Sequence, residues 1–317
     1  PLRDRVSAAC GGQSPAVVPP MLRTSLIVCT FNRAGLLAGC LSSARNQTLA
    51  ASEYEVIVVD NASADHTRQV VERQPGVRYL MCPQRGLSAA RNTGAHAARA
   101  PVLTYIDDDA RAHPRLLEQL LATFDAHPNA GCVGGKIELR LPPRLPGWYS
   151  KHFGGYYSEF DPAGAGVRRI TDLSEYLFGA NLSFRAEALE RTGYFKETLG
   201  RVGGDQSGGE ELDAQFRVAR LGLEIYYNPD AIVEHVILPE RLRRRHILNT
   251  ARAAGRNWAY YERELLRERW SIRGDLRMWL GAWARVCNDE NRPFARSQTV
   301  FYRAKILRKL RYLMRGF

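Results

Sequence analysis

The feature that most constrains this chain is an alternation of two periodicities through its first 125 residues. Residues 24–29, 55–59, 77–81 and 102–106 are short apolar, β-branched runs, the pattern of strands covered on both faces. Residues 36–45, 64–72 and 87–98 carry apolar positions at helical spacing. A fourth helix is expected from Pro114, in its first turn, to about 124, and Ser63 is placed to cap the second. Strands that alternate with helices predict an α/β fold, a mostly parallel sheet flanked by helices. Ligands of such sheets bind beyond the carboxyl ends of the strands. Thr30, Asn32, Asp60, Asn61, Asp107, Asp108 and Asp109 all fall there.

Downstream the pattern loosens. Residues 136–170 are rich in Gly, Pro and aromatic residues and read as an irregular lid or substrate loop. Trp148, Tyr149, Tyr156 and Tyr157 within it suit either stacking on a sugar face or filling a core. Strands are expected at 176–184, 223–227 and 231–236, with a helix at 211–221. After Pro239 the chain turns into long Arg-rich helices. The expected organisation is a flexible lead-in at 1–22, one α/β unit at 23–239 with halves meeting near 135, and a helical extension at 240–317.

Charge follows the same boundary. Residues 240–317 hold 20 Lys and Arg against 7 Asp and Glu, while the first 239 hold 25 against 26. The positive charge therefore belongs to the extension, and its partner need not be the substrate. The six cysteines show no metal-ligand spacing and read as buried or free thiols. No signal peptide is read, and no stretch approaches the roughly 20 apolar residues that span a bilayer.

Several groups carry chemistry. Asp107-Asp108-Asp109 ends an apolar strand, where carboxylates can hold the hard ions Mg²⁺ or Mn²⁺. Alone the triplet also reads as a solvated turn; Asp60 on the same rim favours the metal. Glu210 and Glu211 open a helix after a Gly-rich segment, where either could act as a general base, although the helix dipole favours acidic residues there anyway. A lone His such as His235, near the end of its strand, is more often a satisfied surface or core residue than a ligand. Arg91 is either a helix-surface charge or a phosphate contact. No GxGxxG follows the first strand and no Walker A sequence occurs, which disfavours a dinucleotide cofactor and a P-loop.

Four segments carry a resemblance. The segments at 24–33, 58–63, 86–94 and 105–109 resemble, in that order, the successive motifs of glycosyltransferase family 2. Glu210-Glu211, with Arg217 and Gly222 following, resembles that family's acidic motif, and 228–235 resembles the strand after it. The resemblance implies a GT-A (Rossmann-like) fold and inverting transfer from a nucleoside-diphosphate sugar, with UDP-sugars preferred. It implies that Thr30 and Asp60 contact the nucleobase and that Arg91 holds the nucleotide, with Asn32 and Asp108 beside them. Asp107 and Asp109 would match the family's DxD element, with Asp109 the main ligand of Mn²⁺ or Mg²⁺. His235 would be an auxiliary ligand or diphosphate contact, and Glu211 would occupy the base position. The commoner motif is Glu-Asp, so the choice between Glu210 and Glu211 stays open.

The extension contains two amphipathic patterns. Ile247, Ala251, Ala254, Trp258, Tyr261 and Leu265 share one helical face; Phe301, Ala304, Leu307, Leu310, Met314 and Phe317 share another, beside Arg and Lys. The first is expected to pack on the α/β unit. The last suits packing and an anionic membrane surface equally. The expected partners are a sugar-nucleotide donor, a glycan or lipid-linked acceptor and an anionic membrane; nucleic acid is disfavoured, since no nucleic-acid motif accompanies the charge. The expected location is cytoplasmic, peripheral on the inner face of the cell membrane. Two alternatives are a sugar nucleotidyltransferase, which lacks a Gly-rich basic loop after the first strand, and a non-catalytic membrane- or nucleic-acid-binding protein, against which the intact carboxylates stand.

Overall fold

The computed structural model describes residues 21–314 apart from 163, 165, 173–174, 203–207, 267–269 and 289–291. Most of the expected lead-in, part of the Gly-rich segment before Glu210, and Arg267, Arg315 and Phe317 of the extension lie outside the described residues.

Strands β1 (Thr24–Thr30), β2 (Tyr54–Asp60), β3 (Val77–Met81) and β4 (Val102–Asp107) are parallel neighbours in the order β3-β2-β1-β4. Their side chains alternate between two cores. Leu26, Val28, Val56 and Val58 face helices α1 (Ala34–Arg45), α2 (Thr67–Glu72) and α4 (Leu116–Ala126). Ile27, Ile57, Leu103 and Tyr105 face α3 (Leu87–Ala97), α5 (Ala186–Arg191) and α6 (Glu210–Arg220). Both faces are covered, which is why these strands read as unbroken apolar runs.

The sheet continues past β4 as a mixed one, through β8 (Leu182–Arg185), β6 (Ala130–Arg140), β9 (Glu224–Val236) and β5 (Ala110–Ala112); β7 (Arg168–Arg169) also pairs with β9. Strand β8 is antiparallel to both β4 and β6, while β6 and β9 are parallel.

Several local expectations are corrected. The second helix starts at Thr67, not Ala64, and Ser63 does not cap it; the Asp65 carboxylate accepts from Thr67 N at 3.0 Å instead. The fourth helix starts at Leu116, two residues past Pro114. The expected loop from 136 begins as strand, since β6 runs to Arg140, and it contains a 3-10 turn over Lys151–Tyr157. Of the expected 176–184 strand only 182–184 pair, and the strand runs on to Arg185. The two strands expected on either side of Pro229 are one strand, β9. Its pairing with β6 shifts register between Gly135 and Lys136, opposite that proline, the irregularity at which a sheet tolerates a residue without an N–H.

The extension forms α7 (Arg244–Glu264), α8 (Ile272–Asn288) and α9 (Arg292–Met314). Helix α7 is clamped from two sides: Ile247 joins an aromatic cluster with Phe153 and Tyr157, and Gly255 meets α9 so closely that an added Cβ would lie 2.1 Å from the Phe301 carbonyl oxygen. The expected apolar stripe of α9 is corrected in its outer part. Leu307, Leu310 and Met314 are exposed, and the helix buries Ala304, Lys305, Ile306 and Lys309 instead. The two buried lysines meet Glu262 of α7 and Asp275 of α8; Lys305 lies 2.6 Å from Glu262 Oε1 and 2.7 Å from Asp275 Oδ1. Charge pairing, not the leucine stripe, sets the inward face. No described helix is long and apolar enough to cross a membrane.

Candidate active site

Strand register builds the rim. Thr30 pairs with Asp60 and Cys29 with Asp107, so three strands end at one level. Past β4 the chain turns, and β5 pairs antiparallel with β9, setting Ala110 opposite His235. That pairing carries His235 beside Asp109.

Asp108 is buried and turned back into the rim. Thr30 Oγ1 donates to its Oδ2 at 2.8 Å and Arg33 Nη1 to its Oδ1 at 3.0 Å. Burial pushes its carboxyl up to about 6 against the pull of Arg33, and the charge of Asp109 adds to the rise. Asp109 receives Arg33 at 2.8 Å and Arg241 at 3.0 Å on Oδ2. Burial works to raise this carboxyl too, but the charges of Arg33 and Arg241 beside it help hold it below the ordinary range.

The imidazole of His235 is oriented by its backbone contact. Its Nδ1 lies 2.6 Å from the Tyr157 carbonyl oxygen. A carbonyl can only accept, so Nδ1 carries the proton and Nε2 presents its lone pair. Nε2 sits 3.2 Å from Asp109 Oδ1 and 3.0 Å from Arg241 Nη1. Asp109 Oδ1 is buried with no hydrogen-bond donor. The Arg241 guanidinium supplies the positive charge between these two groups here, and a carboxylate with an imidazole is also a donor pair that fits Mn²⁺ or Mg²⁺. Among the described residues no three His, Cys, Asp or Glu side chains form a ready-made metal set, which leaves further coordination positions to other ligands.

Two pockets meet at this rim. One, of about 150 Å³, is lined by Thr30, Phe31, Arg33, Asn61 and the three aspartates. The other, of about 140 Å³, contains Arg91, Tyr176, Glu210, Glu211, Asn257 and Tyr261. Leu87, Asp107 and Arg201 line both. Asp107 is thus the carboxylate shared between them, 3.8 Å from Arg91 Nη2.

In the second pocket Arg91 Nη1 donates to Glu210 Oε1 at 2.6 Å, and both residues are nearly sealed from water, at 3% and 2% exposed. A helix N-terminus stabilises a carboxylate by about 0.3–1 kcal/mol. Burying one costs several kcal/mol, so the α6 dipole alone does not account for Glu210. Arg91 supplies the compensation, and Gly179 makes room for it, since a Cβ there would lie 2.0 Å from Arg91 Nη2. The pair does not cancel fully: burial and the neighbouring Glu211 push the Glu210 carboxyl up to about 8 against Arg91. Gly209, at φ 108°, lets the chain turn into α6 where a Cβ would strike the Tyr261 hydroxyl at 2.2 Å.

The remaining candidates lie outside both pocket linings. Asp60 accepts from Ser63 N at 2.9 Å and from Tyr79 Oη at 2.9 Å. Asn32, at φ 52°, accepts from Ala64 N at 2.7 Å and so ties the β1 loop to the β2 loop. Neither is among the residues lining the two pockets.

With this geometry in view, the sequence profile of glycosyl transferase family 2 matches residues 25–193. The chain belongs to that family. Among curated relatives of the transferase, glycosyltransferase AglE of Haloferax volcanii is 34% identical over 124 residues, 37% of this chain and 40% of that protein. The glucosyl-dolichyl phosphate glucuronosyltransferase of the same organism is 28% identical over 228 residues, 69% and 71% of the two chains. A validoxylamine A glucosyltransferase of Streptomyces hygroscopicus is 35% identical over 157 residues, 47% and 35%. The chain therefore spans well under half the length of two of these three relatives. Among solved structures, the mannosyltransferase PcManGT from Pyrobaculum calidifontis, in complex with GDP-Man and Mn2+, superposes with a TM-score of 0.63 at 19% identity, covering 94% of this chain and 91% of that one. This likeness is one of fold, and the fold of the transferase is GT-A.

The sequence reading missed several residues of the site. Arg33 lay inside a quoted motif with no role given. Arg241, Asn257 and Tyr261 belong to the basic extension, which was read apart from the chemistry. The amphipathic stripe of α7 was the available signal: a helix that buries Ile247 and Tyr261 must lie against the domain.

Proposed function

We propose that this transferase moves a sugar from a nucleoside-diphosphate sugar to an acceptor hydroxyl in one inverting displacement. The observation that carries this reading is the join of the two pockets at Asp107, with the Asp109–His235 cluster on one side and Glu210 and Glu211 on the other. The rim pocket with Thr30, Asn61 and Arg33 takes the nucleotide; Asp60 and Asn32 brace its loops. Asp107, Asp109 and His235 would hold Mn²⁺ or Mg²⁺, and such an ion would neutralise charge on the diphosphate leaving group.

Glu211 acts as general base. Glu210 Oε1 is already engaged by Arg91, so the carboxylate next to it is the freer one. The base takes the proton of the acceptor hydroxyl while its oxygen attacks the anomeric carbon. The bond from that carbon to the diphosphate breaks on the opposite face, and the nucleoside diphosphate leaves. Arg91 holds Glu210 in place and keeps a positive charge beside Asp107. The acceptor is a glycan or a lipid-linked sugar; the dolichyl phosphate in the name of one relative supports the second.

The test is calorimetric binding of UDP and of GDP, with Mn²⁺ and with EDTA, to the wild type and Asp109→Ala. Metal-dependent binding of one nucleotide, lost in the variant, is expected and identifies the donor. Binding of neither points to a different nucleotide or to a degenerate site.

One further observation supports peripheral membrane contact. Leu276, Leu280 and Trp283, 41%, 56% and 57% exposed, line one face of α8 among Arg273, Arg277 and Arg285. An apolar stripe bordered by arginines suits an anionic lipid surface. The triple Gln variant at these apolar positions should lose co-sedimentation with anionic vesicles; unchanged binding rejects the contact.

A further inference from the structure

A second cleft in the described chain lies apart from the candidate catalytic pockets. It has a volume of about 640 Å³ and opens between the 136–170 segment, the start of α7 and the start of α9. Its floor is aromatic and aliphatic: Trp148 meets Phe153 edge-on at 5.4 Å, Phe153 meets Phe294 at 5.5 Å, and Ile247 completes it. Its rim carries Arg244, Arg292 and Arg296, all exposed. None of the three has an ion-pair or hydrogen-bond partner among the described residues. Elsewhere this chain pairs its arginines readily: Arg78 and Arg99 share Glu55, and Arg33 bridges two aspartates. Three like charges gathered on one cleft with no carboxylate among its described lining residues favour an anion.

The cleft runs in series with the catalytic pocket. The 3-10 turn over Lys151–Tyr157 gives Phe153 to the cleft and Gly155 and Tyr156 to the pocket. Helix α7 gives Ile247 and Leu248 to the cleft and, one turn later, Thr250 and Ala254 to the pocket. One wall therefore serves both, and the cleft adjoins the pocket along that wall.

The floor decides what kind of anion fits. A sugar ring needs partners for its hydroxyls. Ser150 is already bonded to His152 at 2.7 Å, and apart from the Tyr149 hydroxyl, the Trp148 ring N–H and the arginines the lining offers only rings and aliphatic side chains. An apolar chain bearing a phosphate or diphosphate satisfies both parts, with the chain on the floor and the phosphate under the arginines.

We infer that this cleft is an acceptor subsite for the phosphate-bearing end of a lipid-linked acceptor, with Arg244, Arg292 and Arg296 as its phosphate clamp. This rests on the transfer reading above. The test is titration of the full chain, in EDTA so that no metal is available to the aspartates, with geranyl diphosphate, inorganic pyrophosphate and geraniol. Geranyl diphosphate should bind at least tenfold more tightly than either fragment. Arg244→Gln/Arg296→Gln should weaken it at least tenfold, while metal-dependent nucleotide binding stays unchanged. Arg303→Gln/Arg311→Gln, equally basic but on the outer part of α9, should change nothing. Absence of geranyl diphosphate binding, equal binding of pyrophosphate, or an equal loss in the α9 variant overturns the subsite. Loss of wild-type nucleotide binding would instead count against the transfer reading, so the two failures are separable.

Discussion

Arg91 on α3 and Glu210 on α6 form a buried ion pair at 2.6 Å, and the pair joins α3 to the first turn of α6. Its two charges come from segments 119 positions apart. Its energetics and its neighbours generate most of the expectations below.

Removing one partner strands the other charge in a dry site. Arg91→Ala should cost about 3–5 kcal/mol at pH above 8, read by urea unfolding. The loss should shrink at lower pH, because Glu210 can then take up a proton. A pH-independent loss would mean that the pair is not the source.

The raised Glu210 carboxyl sets a pH trend. Its folded pKa of about 8 lies above the ordinary 4.5, so the native state binds the proton more tightly than the unfolded chain does. The stability this provides is complete below about pH 4.5 and drains as pH rises through about 8. Glu210→Gln should flatten the stability profile between those limits. An unchanged slope would assign the trend elsewhere.

Glu211→Gln should lower kcat by roughly 10²–10⁴-fold and leave nucleotide binding intact. Glu210→Gln should cost less, because it keeps an acceptor for Arg91. The reverse order would make Glu210 the base, and full activity in the double Gln variant would defeat the single displacement.

Arg241 Nη1 contacts both Asp109 Oδ2 and His235 Nε2, and so competes for the groups assigned to the metal. Arg241→Gln should lower the Mn²⁺ concentration that half-saturates nucleotide binding. A higher requirement would show that Arg241 supports the ion through the diphosphate.

Gly255→Ala forces a methyl against the Phe301 carbonyl. Backbone cannot yield as a side chain can, so the variant should lose about 1–3 kcal/mol in thermal or urea unfolding. No loss would mean that α7 and α9 separate freely.

Local periodicity made the first half of the fold legible. Strands buried on both faces must be apolar throughout, so β1 to β4 and the rim at their ends could be read without coordinates. Polar residues at strand ends then marked Thr30, Asp107 and Asp109. The second half was harder: β6 carries Gly131, Gly134 and Gly135 in its first half, and β9 crosses a proline that a register shift accommodates. The α9 stripe left its inward face open, and what closes it are Lys305 and Lys309, surface residues by composition, which find buried carboxylates 43 and 34 positions away in Glu262 and Asp275.

The sequence by itself determined the parallel core, the family and the order of the acidic groups, because each follows from near neighbours in the chain. Only the tertiary structure decided which charges meet. The β5–β9 pairing brought His235 to Asp109, the α6 turn at Gly209 brought Glu210 to Arg91, and the packing of α7 gave the basic extension a wall of the active site. Long-range contacts are set by packing and by the cost of leaving a buried charge unpaired, and neither leaves a periodic mark in the sequence.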